Sequence, residues 1–293
     1  MKTIITRLFF LFFLLFSFNV QAQDEYDSPM AVVIDKETGN FYVSSVNGIS
    51  ISSKQGGYIS RLSSEGFVLE KKFIVGAPDK GFMLTAPKGL AIYKDQLYIA
   101  DLAKVKIFNK FSGEYVGEVD FSYLNPQNIF DIAIDEERGI LYATDTYLNA
   151  IYRYDLVDKY PTMVSKTSDL ENPSGLAVHP KSGNLFVTSS GSGDIIRFSV
   201  KTGAKKTIIR NYFESLSGID FDKENNLVLS SMKTGDIYVL FRDKTYKTLH
   251  RNLKGPAFFK FEQKSGKIIV PNYDANSIDT LDYQPYGSKE RKN

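Results

Sequence analysis

Apolar and polar positions along the chain alternate in short runs, not at helical spacing. Six segments repeat one order: a short apolar strand, a polar turn, a second apolar strand ending in a small or acidic residue, then a third strand. The first strands are Ala31-Val-Val-Ile34, Gly89-Leu-Ala-Ile92, Asp131-Ile-Ala-Ile134, Gly175-Leu-Ala-Val178, Gly218-Ile-Asp-Phe221 and Phe258-Phe-Lys-Phe261. Their starts lie 58, 42, 44, 43 and 40 residues apart, and all but the first interval suit a unit of four short strands. A Ser/Gly-rich insertion around residues 47–57 accounts for the long first interval.

Second strands align at residues 41–44, 97–100, 141–144, 185–188, 227–230 and 268–271. Third strands follow at 58–62, 105–108, 151–154, 195–198, 237–240 and 277–281. Fourth strands fit 67–73, 115–120, 205–210 and 245–250, with a weaker signal at 162–165. Nothing between strands reads as helix, which excludes alternating βαβ units. One such unit cannot cover its own apolar faces, so copies must stack around an axis. The expected fold is all-β, a six-bladed β-propeller over residues 23–283, followed by a polar tail at 284–293. The sixth unit runs out after its third strand. Either it stays incomplete or the N-terminal segment Asp24–Asp27 closes it; the sequence leaves both open.

The N-terminus changes the picture of where the protein works. Lys2 and Arg7 precede an apolar stretch over residues 8–18, and Val20-Gln21-Ala22 supplies small residues at a cleavage position. That order describes a secretory signal peptide over residues 1–22. The apolar stretch is roughly half the ~20 residues of a spanning helix. Export is therefore expected, to the periplasm first and to full secretion as the other option, with no membrane span after cleavage. Cleavage removes Lys2 and Arg7 and leaves 34 basic and 34 acidic residues, a neutral chain without the basic stripe of a nucleic-acid partner. The chain has no cysteine, so no disulfide holds it and no thiol serves as lipid anchor or nucleophile.

Pro87-Lys-Gly-Leu-Ala-Ile92 followed by Leu97-Tyr-Ile-Ala-Asp101 resembles an NHL repeat, as does Pro173-Ser-Gly-Leu-Ala-Val178 followed by Leu185-Phe-Val-Thr-Ser189. The resemblance runs from about Pro29 to Leu281. It implies the propeller but little about activity, because the wider NHL and gluconolactonase-like group holds hydrolases, lyases and binding platforms. Gluconolactonase and regucalcin-like propellers hold a divalent metal at the channel mouth through a Glu and later Asn and Asp side chains. Here the matching steps are Ser174-Gly175 and Ser217-Gly218, and the Glu position falls on Met30, with Asp27 three residues upstream. Hydroxyls are poor ligands for Ca²⁺ or Mg²⁺. No metal and no cofactor is therefore expected; Ca²⁺ or Mg²⁺ enters only under a lactonase-like alternative with a rearranged site, using Asp27, Asp101 or Asp145.

Asp101 and Asp145 each follow a second strand in phase, at the end where the inner strands begin. They cap turns, or they join a polar binding rim with Lys88, Asn128, Tyr147 and Asn172. Ser174, Ser217, Asn272 and Tyr273 complete that candidate rim. His179 and His250 have no Ser or Asp partner in a common loop, so a catalytic triad is not expected. Gly76-Ala-Pro-Asp-Lys-Gly81 has the glycines of a phosphate loop, but Phe82 and Met83 stand where Lys and Ser/Thr are needed, so it binds no nucleotide. The 22 Phe and 18 Tyr recur at strand positions and read as inter-blade core, not as a carbohydrate platform. The leading expectation is a non-catalytic exported binding or scaffold protein for a protein, peptide or small ligand. The alternative is a gluconolactonase-like hydrolase or lyase. A third option is self-assembly through the exposed edge of the sixth unit.

Overall fold

The computed structural model describes residues 26–47 and 56–285. Residues 1–22, expected to be a signal peptide, most of the insertion and most of the polar tail lie outside these described residues.

Six antiparallel sheets form the blades. Blade 1 contains β1 (Pro29–Ile34), β2 (Phe41–Ser45), β3 (Tyr58–Leu62) and β4 (Val68–Val75). Blade 2 contains β5 (Pro87–Tyr93), β6 (Gln96–Asp101), β7 (Lys104–Asn109) and β8 (Tyr115–Val119). Blade 3 contains β9 (Ile129–Asp135), β10 (Ile140–Asp145), β11 (Ala150–Asp155) and β12 (Tyr160–Lys166). Blade 4 contains β13 (Pro173–Val178), β14 (Leu185–Ser189), β15 (Ile195–Phe198) and β16 (Lys205–Ile209). Blade 5 contains β17 (Leu216–Phe221), β18 (Leu227–Ser231), β19 (Asp236–Leu240) and β20 (Tyr246–His250). Blade 6 contains β21 (Lys260–Glu262), β22 (Lys267–Asn272) and β23 (Ser277–Asp282). Short 3-10 turns lead into three of the blades at Pro78–Lys80, Ser122–Leu124 and Ser168–Leu170.

The buried apolar side chains fall into six clusters, one at each junction between neighbouring blades. Leu141 and Tyr152 of blade 3, for example, pack on Tyr98 and Val105 of blade 2. The apolar alternation of each strand is thus used on both blade faces, which is why no blade is stable alone.

Hydroxyls fasten the same junctions near the axis. Thr188 of β14 accepts the Gly175 N–H of its own blade at 3.0 Å and donates to the Ser217 carbonyl of the next blade at 2.9 Å. Ser44 joins blades 1 and 2 in the same way, Thr144 joins 3 and 4, and Ser230 joins 5 and 6. Gly175 is needed because a Cβ there would stand 2.0 Å from the Ser217 carbonyl oxygen.

The ring closes through its inner strands. Ala31 of β1 bridges Phe258 in parallel, with Val32 N–H on the Phe258 carbonyl at 3.1 Å and Phe258 N–H on the Met30 carbonyl at 3.0 Å. Residues 26–28 form bends, not a fourth strand on β23, although Tyr26 and Ser28 N–H both bond to Asn276. Among the described residues blade 6 therefore has three strands; Asp24 lies outside them.

Candidate functional site

The two ends of the axis differ. Where the inner strands begin, Phe130 of blade 3 and Phe258 of the opposite blade 6 meet edge to face, their ring centroids 5.4 Å apart. Two rings from facing blades touch only if they cross the axis. Met30 and Tyr273 pack into the same cluster, so this end is plugged with apolar side chains.

The candidate rim lies at this plugged end, and seven of its ten residues are buried: Lys88, Asp101, Asn128, Asp145, Ser174, Ser217 and Asn272. Tyr147 and Asn172 are exposed, and Tyr273 is half-buried. Asp101 accepts the Thr85 and Ala86 N–H groups and pairs with Lys106. Asp145 accepts Gln127, Tyr147 and Leu148 N–H and the Tyr152 hydroxyl. Both carboxylates tie the loop entering a blade to the turn between its second and third strands. Ser174 and Ser217 donate to the Leu216 and Pro256 carbonyls of the following blades, at 2.7 and 2.9 Å. Their hydroxyls therefore hold blades together. Asn172 reaches the Thr146 carbonyl at 3.1 Å, and Asn272 Oδ1 has no hydrogen-bond partner among the described residues. Lys88 is 1% exposed; among the described residues its ammonium's one hydrogen bond is a 3.4 Å contact to the Ala86 carbonyl, and burial lowers its pKa to about 8.

The other end is open. A cavity of about 1330 Å³ occupies the axis where the inner strands finish and the turns to the second strands begin. None of the ten rim residues lines it. Apolar side chains form its walls, among them Leu90, Ile92, Ile132, Ile134 and Val178. It also extends sideways into the junction of blades 1 and 6, beside Ile34, Phe41 and Ile269. Asp220 and Lys260 line it as well, and Asp131 lies in their electrostatic neighbourhood. Burial pushes the Asp131 carboxyl up to about 6, although Leu176 and Ile132 N–H both donate to it.

Around the mouth, the same position in five of the six turns holds an acceptor for backbone N–H, and blade 2 has Tyr93 there. Asp35, Asp135, Asp222 and Glu262 play this part in blades 1, 3, 5 and 6. In blade 4 the acceptor is His179 Nδ1, taking Lys181 and Ser182 N–H at 3.3 and 3.2 Å. Burial depresses the His179 pKa, which keeps that nitrogen an acceptor. Lys94, Lys181, Lys223 and Lys264 also line the cavity, and none has a carboxylate within ion-pair distance among the described residues. The mouth thus combines carboxylates fixed by turn N–H groups with ammonium groups left free. Among the described residues, no three His, Asp or Glu side chains converge as a metal cage.

No family model matches the chain, and no curated protein matches it by sequence. Similarity appears among solved structures. Virginiamycin B lyase from Staphylococcus aureus superposes with a TM-score of 0.62 at 14% identity, covering 92% of this chain and 86% of that one. A catalytically inactive variant of that lyase with quinupristin gives 0.62 at 14%, covering 91% of this chain and 98% of the other. A structural genomics protein of unknown function from Bacteroides thetaiotaomicron gives 0.65 at 12%, covering 86% of this chain and 68% of that one. At such identity the likeness is one of fold, the six-bladed propeller.

Proposed function

We propose that the chain is an exported, NHL-like, non-catalytic binding propeller that holds a small organic ligand in the cavity at the open end of its axis. The asymmetry of that axis carries the reading. One end is plugged by Phe130 and Phe258, while the other leads into about 1330 Å³ lined by apolar strand residues and by eight lysines and seven carboxylates, a concave space of the kind that holds ligands. Export is supported by the charged start, short apolar run and Ala22 exit at the N-terminus. The NHL relationship is supported by the Pro-x-Gly-Leu-Ala steps at Pro87 and Pro173. The hydrolase or lyase alternative has less support: Asp101 and Asp145 hold loop backbone, and Asp27 accepts the Tyr58 hydroxyl at 2.8 Å.

The test is a thermal-shift screen of small anionic, neutral and cationic compounds against the protein and Ala133→Trp, whose indole would fill part of the cavity. A ligand at 100 times its Kd adds about 2.7 kcal/mol of stability. Compounds that stabilise the native chain and leave Ala133→Trp unmoved support the cavity. Equal shifts in both proteins would place binding elsewhere and end this reading.

A further inference from the structure

Blade 6 exposes an edge that the other blades cover with a fourth strand. Those fourth strands carry the usual protections of a sheet edge. Each pairs with its third strand through a register shift, and β4, β12, β16 and β20 also bear lysine. Among the described residues the outermost strand of blade 6 is β23, and it has none of these protections. Its six residues pair with β22 in unbroken register and include no lysine, arginine or proline.

Both ends of this edge are closed and its middle is bare. The Asn276 carbonyl accepts the Tyr26 N–H at 3.3 Å, and the Asp282 carbonyl accepts His250 Nε2–H at 2.8 Å, both from outside the sheet. Backbone groups alternate between the two sides of a strand, so Ile278 and Thr280 turn theirs to the same outer side, where no partner meets them among the described residues. Spacing puts the missing strand in the part of the chain that export is expected to remove. The fourth strands of blades 1 to 5 end at Val75, Val119, Lys166, Ile209 and His250, 8 to 14 residues before Gly89, Asp131, Gly175, Gly218 and Phe258. The same distance before Ala31 falls at residues 17–23, and the expected cleavage after Ala22 leaves only Gln23 of these.

Two features select the partner. Ile278 and Thr280 face blade 1, where the sideways extension of the cavity beside Ile34, Phe41 and Ile269 reaches Thr280. A residue paired opposite Thr280 points the same way, so an apolar side chain fits there. On the other face of the strand, Asp279 forms no ion pair among the described residues, and β23 carries two carboxylates and no cation. Opposite Asp279 a basic side chain is favoured. A second copy would set β23 against β23, and the like charges of the two strands oppose that pairing.

We propose that the edge of β23 accepts, as the fourth strand of blade 6, an extended antiparallel segment of a partner protein in which apolar and basic residues alternate. The inference does not depend on a ligand at the axis.

The experiment is a fluorescence-anisotropy titration of the exported protein, its first residue read by mass spectrometry, with labelled and capped heptapeptides. The first alternates lysine and valine, and the second has glutamate in place of lysine. The third repeats the first with N-methylated valines, which cannot donate to β23. The lysine peptide should bind once per chain, about tenfold or more tighter than either of the others. Thr280→Pro removes an outward N–H that β22 does not use, so it should weaken the lysine peptide about tenfold and leave the thermal midpoint nearly unmoved. Asp279→Lys should reverse the preference to the glutamate peptide, which tests the site even if Thr280→Pro fails to fold. Equal binding of the N-methylated peptide, an unchanged preference in Asp279→Lys, or binding by none of the three would overturn the proposal. A dimer in sedimentation that Thr280→Pro dissociates would overturn it too, and give the edge to a second copy. A first residue before Asn19 together with no peptide binding would give the edge to the chain's own N-terminus and end the proposal.

Discussion

Lys88 is buried with no carboxylate at ion-pair distance among the described residues, and its ammonium rests near the Phe130 ring, 5.9 Å from the centroid. Desolvation lowers its pKa from 10.5 to about 8, so folding favours the neutral amine. Between those values the unfolded chain binds the extra proton, so this group's penalty is fully present below about pH 8 and fades as pH rises toward 10.5. The shift corresponds to about 3 kcal/mol at most. Lys88→Met should therefore be more stable than the native chain in urea at pH 7.5, with a gap that narrows by pH 10. A constant gap would refute this account. His179 responds to acid with the same sign, in a lower pH window. Its pKa is depressed, so the cap it provides is intact above the unfolded value near 6.5 and is lost as pH falls below it. His179→Asp restores the residue type found at that turn position in other blades. Thermal melts from pH 7 to 5 should show a smaller loss in His179→Asp than in the native protein.

At the scale of strands and turns, the sequence pattern places 23 strands to within a few residues because alternation, small end residues and Gly or Asn turns all agree. The same pattern hides the purpose of the small end residues. Ser44, Thr144, Thr188 and Ser230 read only as small polar positions, yet each ties two blades together. That role depends on the next blade's backbone, which no local signal carries. Ser174 and Ser217 are opaque for the same reason: as replaced metal ligands they look like losses, whereas in the fold they donate to neighbouring carbonyls. Thr188→Val keeps the shape and removes the bonds, leaving the Gly175 N–H and Ser217 carbonyl unpaired. It should cost about 2 kcal/mol in urea unfolding, within the range for buried unsatisfied groups. A loss under 0.5 kcal/mol, the scale of an ordinary surface substitution, would mean the bridge is dispensable.

For the whole molecule, the consequential feature is which end of the axis is open, and this was the least legible from sequence. Asp101 and Asp145 recur in phase and draw attention to the end where inner strands begin. The plug there depends on Phe130 and Phe258, residues of facing blades about 130 positions apart in the chain. The cavity's signals, free lysines on the other set of turns, look in sequence like ordinary solvated turn residues. The chain contains no tryptophan, so a single introduced indole reports on one place. Ile92→Trp puts it on the cavity wall and Tyr273→Trp puts it at the plugged end. Fluorescence titration of both variants with a brominated analogue of a compound that the thermal-shift screen identifies, bromine being a short-range quencher, measures the site of binding directly. Saturable quenching in Ile92→Trp with none in Tyr273→Trp is the predicted result; quenching confined to Tyr273→Trp would contradict the account and move the site to the other end.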